Sequence, residues 1–311
     1  MNEPLLKPLA QASQASRVEA LRRVFAERHR LSGALIERAQ QAFGASWTAD
    51  FDRMLGSLLA DDESLALAAK GYSSFAFDSM RRQKAFEVSR EYVNKTYAQA
   101  ASEVYFNEQH MASEYLPGLL LSHFLWPHHY RQIQFFDTAF AEPMSRSHSA
   151  EFAEIGIGTA LYSRRILEQV STSRGVGYDI SPSSCRYAEQ HVSAVGATAR
   201  YEVRCQDILE HPMAPVPWLV CVEVLEHLED PVGFLRALHA ALQPGGKAFI
   251  TAAVNAAHAD HIYLYRDAQA VALQLQQAGF AIEQSFSATA FAPSAPVVPV
   301  PEAAAFVVYR T

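Results

Sequence analysis

The sequence predicts an α/β protein in which an all-α segment precedes a doubly wound, mostly parallel, seven-stranded sheet. Residues up to about 145 follow helical periodicity, and Val18, Leu21 and Phe25 lie on one apolar stripe. From about residue 150 onward, short apolar strands alternate with helical patterns, which is typical of a parallel sheet with helices on both faces. Glycines directly after the first strand place a tight turn at the carboxyl edge of that sheet. We therefore expect two domains, residues 1–145 and residues 146–311.

Within the helical domain, we expect breaks at residues that usually end helices. Gly71 and the pair Pro117-Gly118 are such residues. An apolar stripe that begins at Val93 predicts a helix through Tyr105. The polar residues 142–150 are expected to be the linker between the two domains.

Aromatic and histidine side chains are concentrated between residues 72 and 140. They are suited to packing between helices and to a dimer contact, and equally to a dry pocket with a few polar groups. His128, His129 and Tyr130 follow Trp126-Pro127 near a predicted helix start. We expect these three residues to bind the substrate.

Proline, glycine and capping residues mark the elements after residue 150. Pro182 follows the cap residue Ser181 at a predicted helix start, and Pro244-Gly245-Gly246 forms a turn before strand five. The proline-rich residues 291–301 are expected to be a surface loop. The predicted strands cover about 151–156, 175–179, 200–204, 218–222, 247–253, 280–286 and 305–309.

The turn after the first strand carries Glu154, Gly156 and Gly158. A G-x-G-x-x-G dinucleotide fingerprint that starts at Gly156 needs a small residue at position 161, where this chain has Leu161. The Glu154 carboxylate would repel a pyrophosphate but is suited to a cationic or hydroxyl-bearing ligand. An NAD(P)-linked oxidoreductase is therefore disfavoured, although it stays open as an alternative.

Acidic residues also end the next three predicted strands. Asp179 closes strand two, Asp207 follows strand three, and Glu223 follows strand four. An acid at about the position of Asp179 is where a ribose diol finds its hydrogen-bond acceptor in nucleoside-binding sheets. Because parallel strands end at the same edge, we expect all of these carboxylates to surround one ligand.

The Glu154-x-Gly-x-Gly turn, the string from Glu223 to Pro231 and the Pro244-Gly245-Gly246 motif resemble class I S-adenosylmethionine (SAM)-dependent methyltransferases. The resemblance is to small-molecule enzymes of the ubiquinone-biosynthesis type, which have a Rossmann-like sheet. That family usually has a third glycine where this chain has Ala160. The resemblance covers roughly residues 150–311.

The resemblance implies that SAM is the cofactor. Residues of the glycine turn would meet its amino-acid end, and those after strand two would hold the ribose and flank the adenine. Residues after strand three would meet the adenine edge, and those after strand four the methionine side. The implied residues are Glu154, Gly156, Gly158, Asp179, Ile180, Asp207, Ile208, Glu223 and Val224.

Methyl transfer from a sulfonium is an in-line displacement, which the protein assists chiefly by alignment and by excluding water. A base is needed where the acceptor holds a proton, and it should titrate near neutral pH. His261, His227 and His258 follow strands four and five and are the catalytic candidates. Asp260 and Tyr265 lie in the same stretch and are expected to contact the acceptor.

This chain lacks the sequence signatures of two other methyltransferase classes. Enzymes that methylate flipped nucleobases carry Asn/Asp-Pro-Pro-Tyr after strand four, whereas this chain continues from Glu223 as Glu-Val-Leu-Glu. Catechol-type enzymes bind Mg²⁺ with aspartates after strands four and five, where this chain has Glu223 and Val254-Asn255. We therefore expect no metal, since His258 and His261 are more simply hydrogen-bonding residues.

Composition bounds the partners and the compartment. The net charge of −7 argues against nucleic-acid binding, and three cysteines without Cys-x-x-Cys spacing fit reduced thiols. Glu3 and Pro4 interrupt the N-terminus, so that no signal peptide is expected. Apolar runs are too short to span a bilayer.

The sequence thus predicts a cytoplasmic, homodimeric SAM-dependent methyltransferase of a small-molecule metabolite, with natural-product biosynthesis as one setting. A non-catalytic SAM-binding interaction protein is the alternative outside enzymes. The helical domain would be a lid and a dimer contact.

Overall fold

A computed structural model of the protein describes residues 16–292 and 298–311. Helices occupy residues 17–145, and strands alternate with helices from residue 151 onward, which confirms the predicted fold class. Glu3, Pro4 and the central part of the 291–301 loop lie outside the described residues.

The N-terminal helices form a layered bundle beside the sheet. Asp61 caps the longest helix by accepting from the Ser64 amide at 2.8 Å, and Thr96 and Gln99 form a capping box. Two π-helical turns, Met111–Tyr115 and Asp137–Ala141, join consecutive helices without a break. The helices are α1 (Arg17–Arg28), α2 (Leu35–Leu58), α3 (Asp62–Ser89), α4 (Tyr97–Glu103), α5 (Glu108–His110), α6 (Leu116–Leu125), α7 (Pro127–Phe136) and α8 (Glu142–Ser145).

Three expectations about helix ends are wrong. Gly71 lies inside α3, where the backbone of Ser113 packs so closely that a Cβ would be 2.3 Å from its carbonyl oxygen. Pro117 and Gly118 lie in the first turn of α6, which follows the π-helical turn without a break. Val93 precedes α4 and is exposed.

Among the residues described from 151 onward, the alternating half has seven strands and four α-helices. Pro182 and Pro231 each stand at the first helical position behind a capping side chain. The strands are β1 (Glu151–Ile155), β2 (Arg174–Asp179), β3 (Tyr201–Cys205), β4 (Val216–Cys221), β5 (Leu242–Val254), β6 (Phe280–Thr289) and β7 (Glu302–Arg310). The helices are α9 (Leu161–Gln169), α10 (Pro182–Ser193), α11 (Pro231–Ala240) and α12 (Ala268–Gln277).

The strands form one sheet in the order β3-β2-β1-β4-β5-β7-β6. Strands β1 to β5 are parallel, whereas β7 runs antiparallel to both β5 and β6. The strand order reverses between β1 and β4, and ligands of open α/β sheets bind in the crevice at such a point. Strand β5 begins at Leu242, so that Gly245, with a φ of 73°, lies in an irregular segment of the strand rather than in a turn before it.

The helical segment and the sheet share one hydrophobic core. Phe136 and Phe140 from the helical segment pack against Phe249 of β5, with ring centroids 5.0 and 6.0 Å from its ring. Residues 142–145 continue as helix, which shortens the expected linker to residues 146–150. Within the part of the chain that the structure describes, no helix has both the length and the apolar character needed to cross a membrane.

Candidate active site

The carboxyl edge of the sheet opens onto a large cavity of about 1470 Å³. Its other walls include residues of the 28–38 segment from the end of α1 into α2, parts of α3 and α4, the π-helical turn before α6, the ends of α6 and α7, the loops after β4 and β5, and the start of β7. All nine residues that the sequence assigned to the cofactor line this cavity.

The turn after β1 holds its glycines in conformations that other residues rarely adopt. Gly156 has a φ of 70° and Gly158 a φ of 47°. A Cβ on Gly156 would lie 2.5 Å from Cγ2 of Val224, so the turn and the loop after β4 approach closely. Ala160, which stands where the resembling family usually has a glycine, also has a positive φ of 54°.

Glu154 ends β1 as an almost completely buried carboxyl group. Its Oε2 accepts a hydrogen bond from the Ser163 amide at 2.8 Å and another from the Ser163 hydroxyl. Burial raises the pKa of Glu154 to about 8, although both bonds from Ser163 favour the carboxylate. A cationic ligand group nearby would stabilise the ionised form.

Each of the other three carboxylates accepts at least one hydrogen bond from a backbone amide or a hydroxyl group. Asp179 accepts from the Gly158 amide at 3.0 Å and from the Ser181 amide at 2.8 Å. The Glu223 carboxylate accepts from the Thr251 hydroxyl at 2.7 Å. Burial raises the pKa of both Asp179 and Glu223. Asp207 accepts from the Leu209 amide at 2.8 Å. Each carboxylate keeps further acceptor capacity for a ligand.

This wall fits an adenosyl ligand without phosphate. Four of its nine residues are acidic and none is basic, so that it suits hydroxyl and ammonium groups and disfavours a pyrophosphate. Ile180 and Ile208 add apolar surface on which a flat base can lie. The donor set therefore agrees with SAM and not with a dinucleotide.

Three histidines lie next to one another along the cavity. The rings of His227 and His258 both lie 4.8 Å from the ring of His261. His261 Nδ1 donates to the Ala256 carbonyl at 2.7 Å, and His227 Nδ1 donates to the Asp260 carbonyl at 3.2 Å. Since carbonyl oxygens only accept, Nδ1 carries a proton in both rings, and the neutral His261 ring presents Nε2 as an acceptor. Burial lowers the pKa of His258 and that of His261.

Of the two acceptor contacts expected in this loop, Asp260 lines the cavity and Tyr265 does not. Asp260 Oδ2 accepts from the hydroxyls of Tyr105 at 3.1 Å and Tyr115 at 2.8 Å, which ties the loop to the helical segment. The Tyr265 hydroxyl instead donates to Oε1 of Gln274 in α12 at 2.6 Å. The expectation that Tyr265 contacts the acceptor is therefore wrong.

Of the three residues at the start of α7 that were expected to bind the substrate, two line the cavity and one does not. His128 and His129 line the cavity. Burial lowers the pKa of His128 to about 3 and that of His129 well below its ordinary value, so both are neutral. Tyr130 points away into the helical core, against Phe43 at 4.9 Å, because it lies on the opposite face of α7. Its assignment to the substrate is wrong.

Sequence reasoning missed two residues of the cavity wall. Phe75 of α3 stacks on Trp126 at 5.8 Å and on His258 at 5.5 Å. Glu226, which stands in the quoted motif after β4, is fully buried, and neither of its carboxylate oxygens has a hydrogen-bond partner among the described residues. Burial, and then the nearby Glu223 carboxylate, raise the pKa of Glu226 well above its ordinary value. Glu226 could have been predicted from its place in the motif after β4, whereas no sequence pattern indicates that Phe75 lines the cavity.

The strand order, the glycine turn and the acids at four strand ends together define a class I SAM-dependent methyltransferase domain. Residues 153–248 match the family described as "Methyltransferase domain".

Similar proteins agree with this class. Over 103 residues the chain is 28% identical to the ubiquinone biosynthesis O-methyltransferase of Xylella fastidiosa (strain 9a5c), covering 33% of this chain and 41% of that protein. The corresponding protein of Idiomarina loihiensis is 29% identical over 99 residues, covering 32% and 40%. The chain thus spans about two fifths of the length of these curated relatives. The solved structure of mitomycin 7-O-methyltransferase MmcR has the same fold, with a TM-score of 0.53 and 15% identity over 82% of this chain and 74% of that one.

Proposed function

We propose that this protein transfers a methyl group from SAM to an oxygen atom of a small, flat metabolite. One observation carries the proposal: the carboxylate wall and an aromatic, histidine-lined chamber belong to the same cavity. A cofactor on the wall would leave the chamber as the space for an acceptor. The volume of about 1470 Å³ exceeds the roughly 300–1,000 Å³ of an ordinary ligand pocket, which supports two ligands side by side.

The chamber favours a planar acceptor. Trp126 lies parallel to His128 with ring centroids 5.9 Å apart, and Phe75 stacks against both Trp126 and His258. Such surfaces bind flat rings through dispersion and offset stacking. The relatives methylate oxygen according to their names, and this supports an oxygen acceptor here.

When bound, SAM supplies an electrophilic methyl group. The chain's own residues would position the acceptor and keep water out, which is the main contribution of a protein to in-line displacement. His227, His258 and His261 are proposed to contact the acceptor hydroxyl and to assist its deprotonation. The neutral imidazoles of His258 and His261 fit this role, since a base must be free of its proton before it accepts one.

The remaining assignments are also proposals. The helical segment is proposed to close over the acceptor and to form a homodimer contact, which the exposed Leu67 and Val88 of α3 would support. A cytoplasmic location without a nucleic-acid partner is consistent with the net charge of −7 and with the free cysteines Cys185, Cys205 and Cys221.

Thermal unfolding in the presence of ligands tests the proposal. SAM and S-adenosylhomocysteine (SAH) should raise the midpoint, whereas NAD should not, because the wall lacks a phosphate site. Incubation with SAM and a metabolite extract should then release SAH. Stabilisation by NAD would favour the oxidoreductase, and SAM binding without SAH release from any extract would favour a non-catalytic SAM-binding protein.

A further inference from the structure

Opposite charges line the two ends of the cavity. Among the described residues, the lysine and arginine side chains that line it all come from the segment between the end of α1 and the first half of α3. They are Arg28, Arg30, Arg38 and Lys70. The aspartates and glutamates that line the cavity all belong to the sheet half, from Glu154 onward. The cavity therefore has an acidic end at the sheet and a cationic end, which we call the mouth.

The four cations of the mouth are available to a ligand. All four side chains are exposed, and none of them takes part in an ion pair among the described residues. Burial of the ring, and then the charges of Arg28 and Lys70, lower the pKa of His29, so that cations from two different helices act on one imidazole. In a chain whose net charge is −7, such a local concentration of positive charge attracts anions.

Apolar side chains stand beside these cations. Leu31 is 82% exposed, Phe77 58% and Met80 53%, and all three line the cavity. Exposed apolar surface of this kind occurs in ligand-binding grooves as well as at protein contacts. Because the same cavity includes the chamber lined by Phe75 and Trp126, this surface suits an apolar chain that leads from the chamber to the mouth.

Helix α3 runs from the mouth to the histidine group and gives the distance between them. Lys70 precedes Ser79 by nine residues, which is about 13 Å along the axis of an α-helix. The Ser79 hydroxyl lies 3.2 Å from Nδ1 of His258, one of the three histidines proposed to contact the acceptor hydroxyl. An acceptor that reaches from these histidines to the mouth would therefore be an elongated molecule.

We propose that the methyl acceptor is an elongated small molecule whose far end carries a carboxylate or phosphate group, bound at the mouth by Arg28, Arg30, Arg38 and Lys70. Guanidinium groups suit this role because they donate paired hydrogen bonds to carboxylate and phosphate oxygens. The acidic end of the cavity repels the same anion, so that acceptor and cofactor would each enter in one orientation. That the anion belongs to the acceptor rests on the proposed function, whereas anion binding at the mouth does not.

Calorimetric titration of the full chain with synthetic probes tests the site without any turnover. The probes are ω-(para-hydroxyphenyl)octanoate, its primary amide and ω-(para-hydroxyphenyl)octyl phosphate, each measured with and without saturating SAH. We expect both anions to bind about tenfold more tightly than the amide. This advantage should fall as salt is added, because exposed charges are screened. The anion that binds more tightly identifies the group that the mouth prefers.

Substitutions at the mouth locate the bound anion. Arg28→Gln combined with Lys70→Gln should weaken binding of both anions by about tenfold, since each exposed ion pair contributes at most about fivefold. The affinity for the amide should stay unchanged. Arg23→Gln is the matched control, because Arg23 is an exposed arginine of α1 that does not line the cavity. Binding of para-hydroxybenzoate, which is too short to reach the mouth from the chamber, should be the same in all variants.

Equal affinities for the octanoate and its amide, or no binding of either anion to the folded, unmodified chain, would overturn the proposal. An equal loss in Arg23→Gln would also overturn it, because the effect would then come from the net charge and not from the mouth. Circular dichroism checks that the variants keep their fold, as expected for exposed residues. Anion binding that depends on Arg28 and Lys70 in a chain without methyl transfer would support the anion site and count only against the proposed function.

Discussion

Glu154 is the residue whose protonation should respond most directly to the cofactor. Its pKa of about 8 means that the carboxyl is mostly protonated at pH 7 in the ligand-free protein. The ammonium group of a bound SAH would favour the carboxylate and lower this pKa, so that binding releases a proton. Affinity for SAH should therefore rise with pH up to about 8 and level off above it, by at most about tenfold per pH unit.

Calorimetry in buffers of different ionisation enthalpy measures this proton release. Glu154→Gln should abolish it, because the amide does not titrate and still accepts from the Ser163 amide. Glu202→Gln, on the exposed part of β3, should behave like the unmodified chain. Proton release that persists in Glu154→Gln would show that another group titrates on binding.

The residues of the candidate site were predictable where a motif combined a residue type with a characteristic spacing. The four acids and two glycines at strand ends were found because parallel strands bring their carboxyl ends together regardless of loop detail. Tyr130 and Tyr265 were misassigned because neighbours along the chain point to different faces, and only the packing decides which face is which. Glu226 was overlooked because the absence of a partner is a property of the folded interior.

At the scale of elements, Gly71 shows how a glycine can serve close packing within a helix. Replacing it by alanine would place a Cβ 2.3 Å from the Ser113 carbonyl oxygen and push α3 away from the π-helical turn before α6. We expect Gly71→Ala to lower the free energy of unfolding by about 1–3 kcal/mol, as overpacking usually does. Denaturant unfolding measures the loss.

Gly56 provides the matched control, because it lies in α2 and a Cβ there would meet no atom within 4 Å. Gly56→Ala should raise stability by up to about 1 kcal/mol through helix propensity. Equal effects of the two substitutions would contradict the close-packing role of Gly71.

The boundaries of helices and strands after residue 150 were predicted within a few residues, because prolines, glycines and capping residues mark the ends of these elements. The helical half was harder. The π-helical turn before α6 lets the helical path continue into Pro117-Gly118. The local sequence gives no pattern from which a π-helical turn can be predicted. Strand β5 also continues through Gly245, since pairing with β4 extends the strand beyond its local pattern.

At the scale of the molecule, the helical segment and the sheet are joined by a buried ion network. Arg165 of α9 donates to Asp50 of α2 at 2.9 Å and to Asp137, after α7, at 2.9 Å. Arg165→Met would leave Asp137 without an ion-pair partner among the described residues and Asp50 with Arg53 alone, and we expect a loss of about 3 kcal/mol. Urea unfolding followed by circular dichroism measures it.

Arg186→Met is the control, because Arg186 pairs with Glu108 on the surface, where both side chains are more than half exposed. Its effect should stay below about 1 kcal/mol. Similar losses in both variants would remove the case for the buried network.

The hydrophobic core that the helical segment and the sheet share crosses the predicted domain boundary at residue 145. Phe136, Phe140 and Phe249 pack across that boundary, so we expect the whole chain to unfold in one cooperative transition. Two separate transitions would support independent domains. The sequence indicated a change of architecture at this point, but contacts across it are long-range and left no local pattern.

A crystal structure of the protein with SAH tests the central claim most directly. The account predicts an adenosyl group on the carboxylate wall, with its ribose at Asp179, its adenine at Asp207 and its amino group near Glu154. The space beside the sulfur should open into the chamber lined by Phe75 and Trp126. A wall without ligand at saturating SAH, or SAH bound elsewhere in the molecule, would contradict the account.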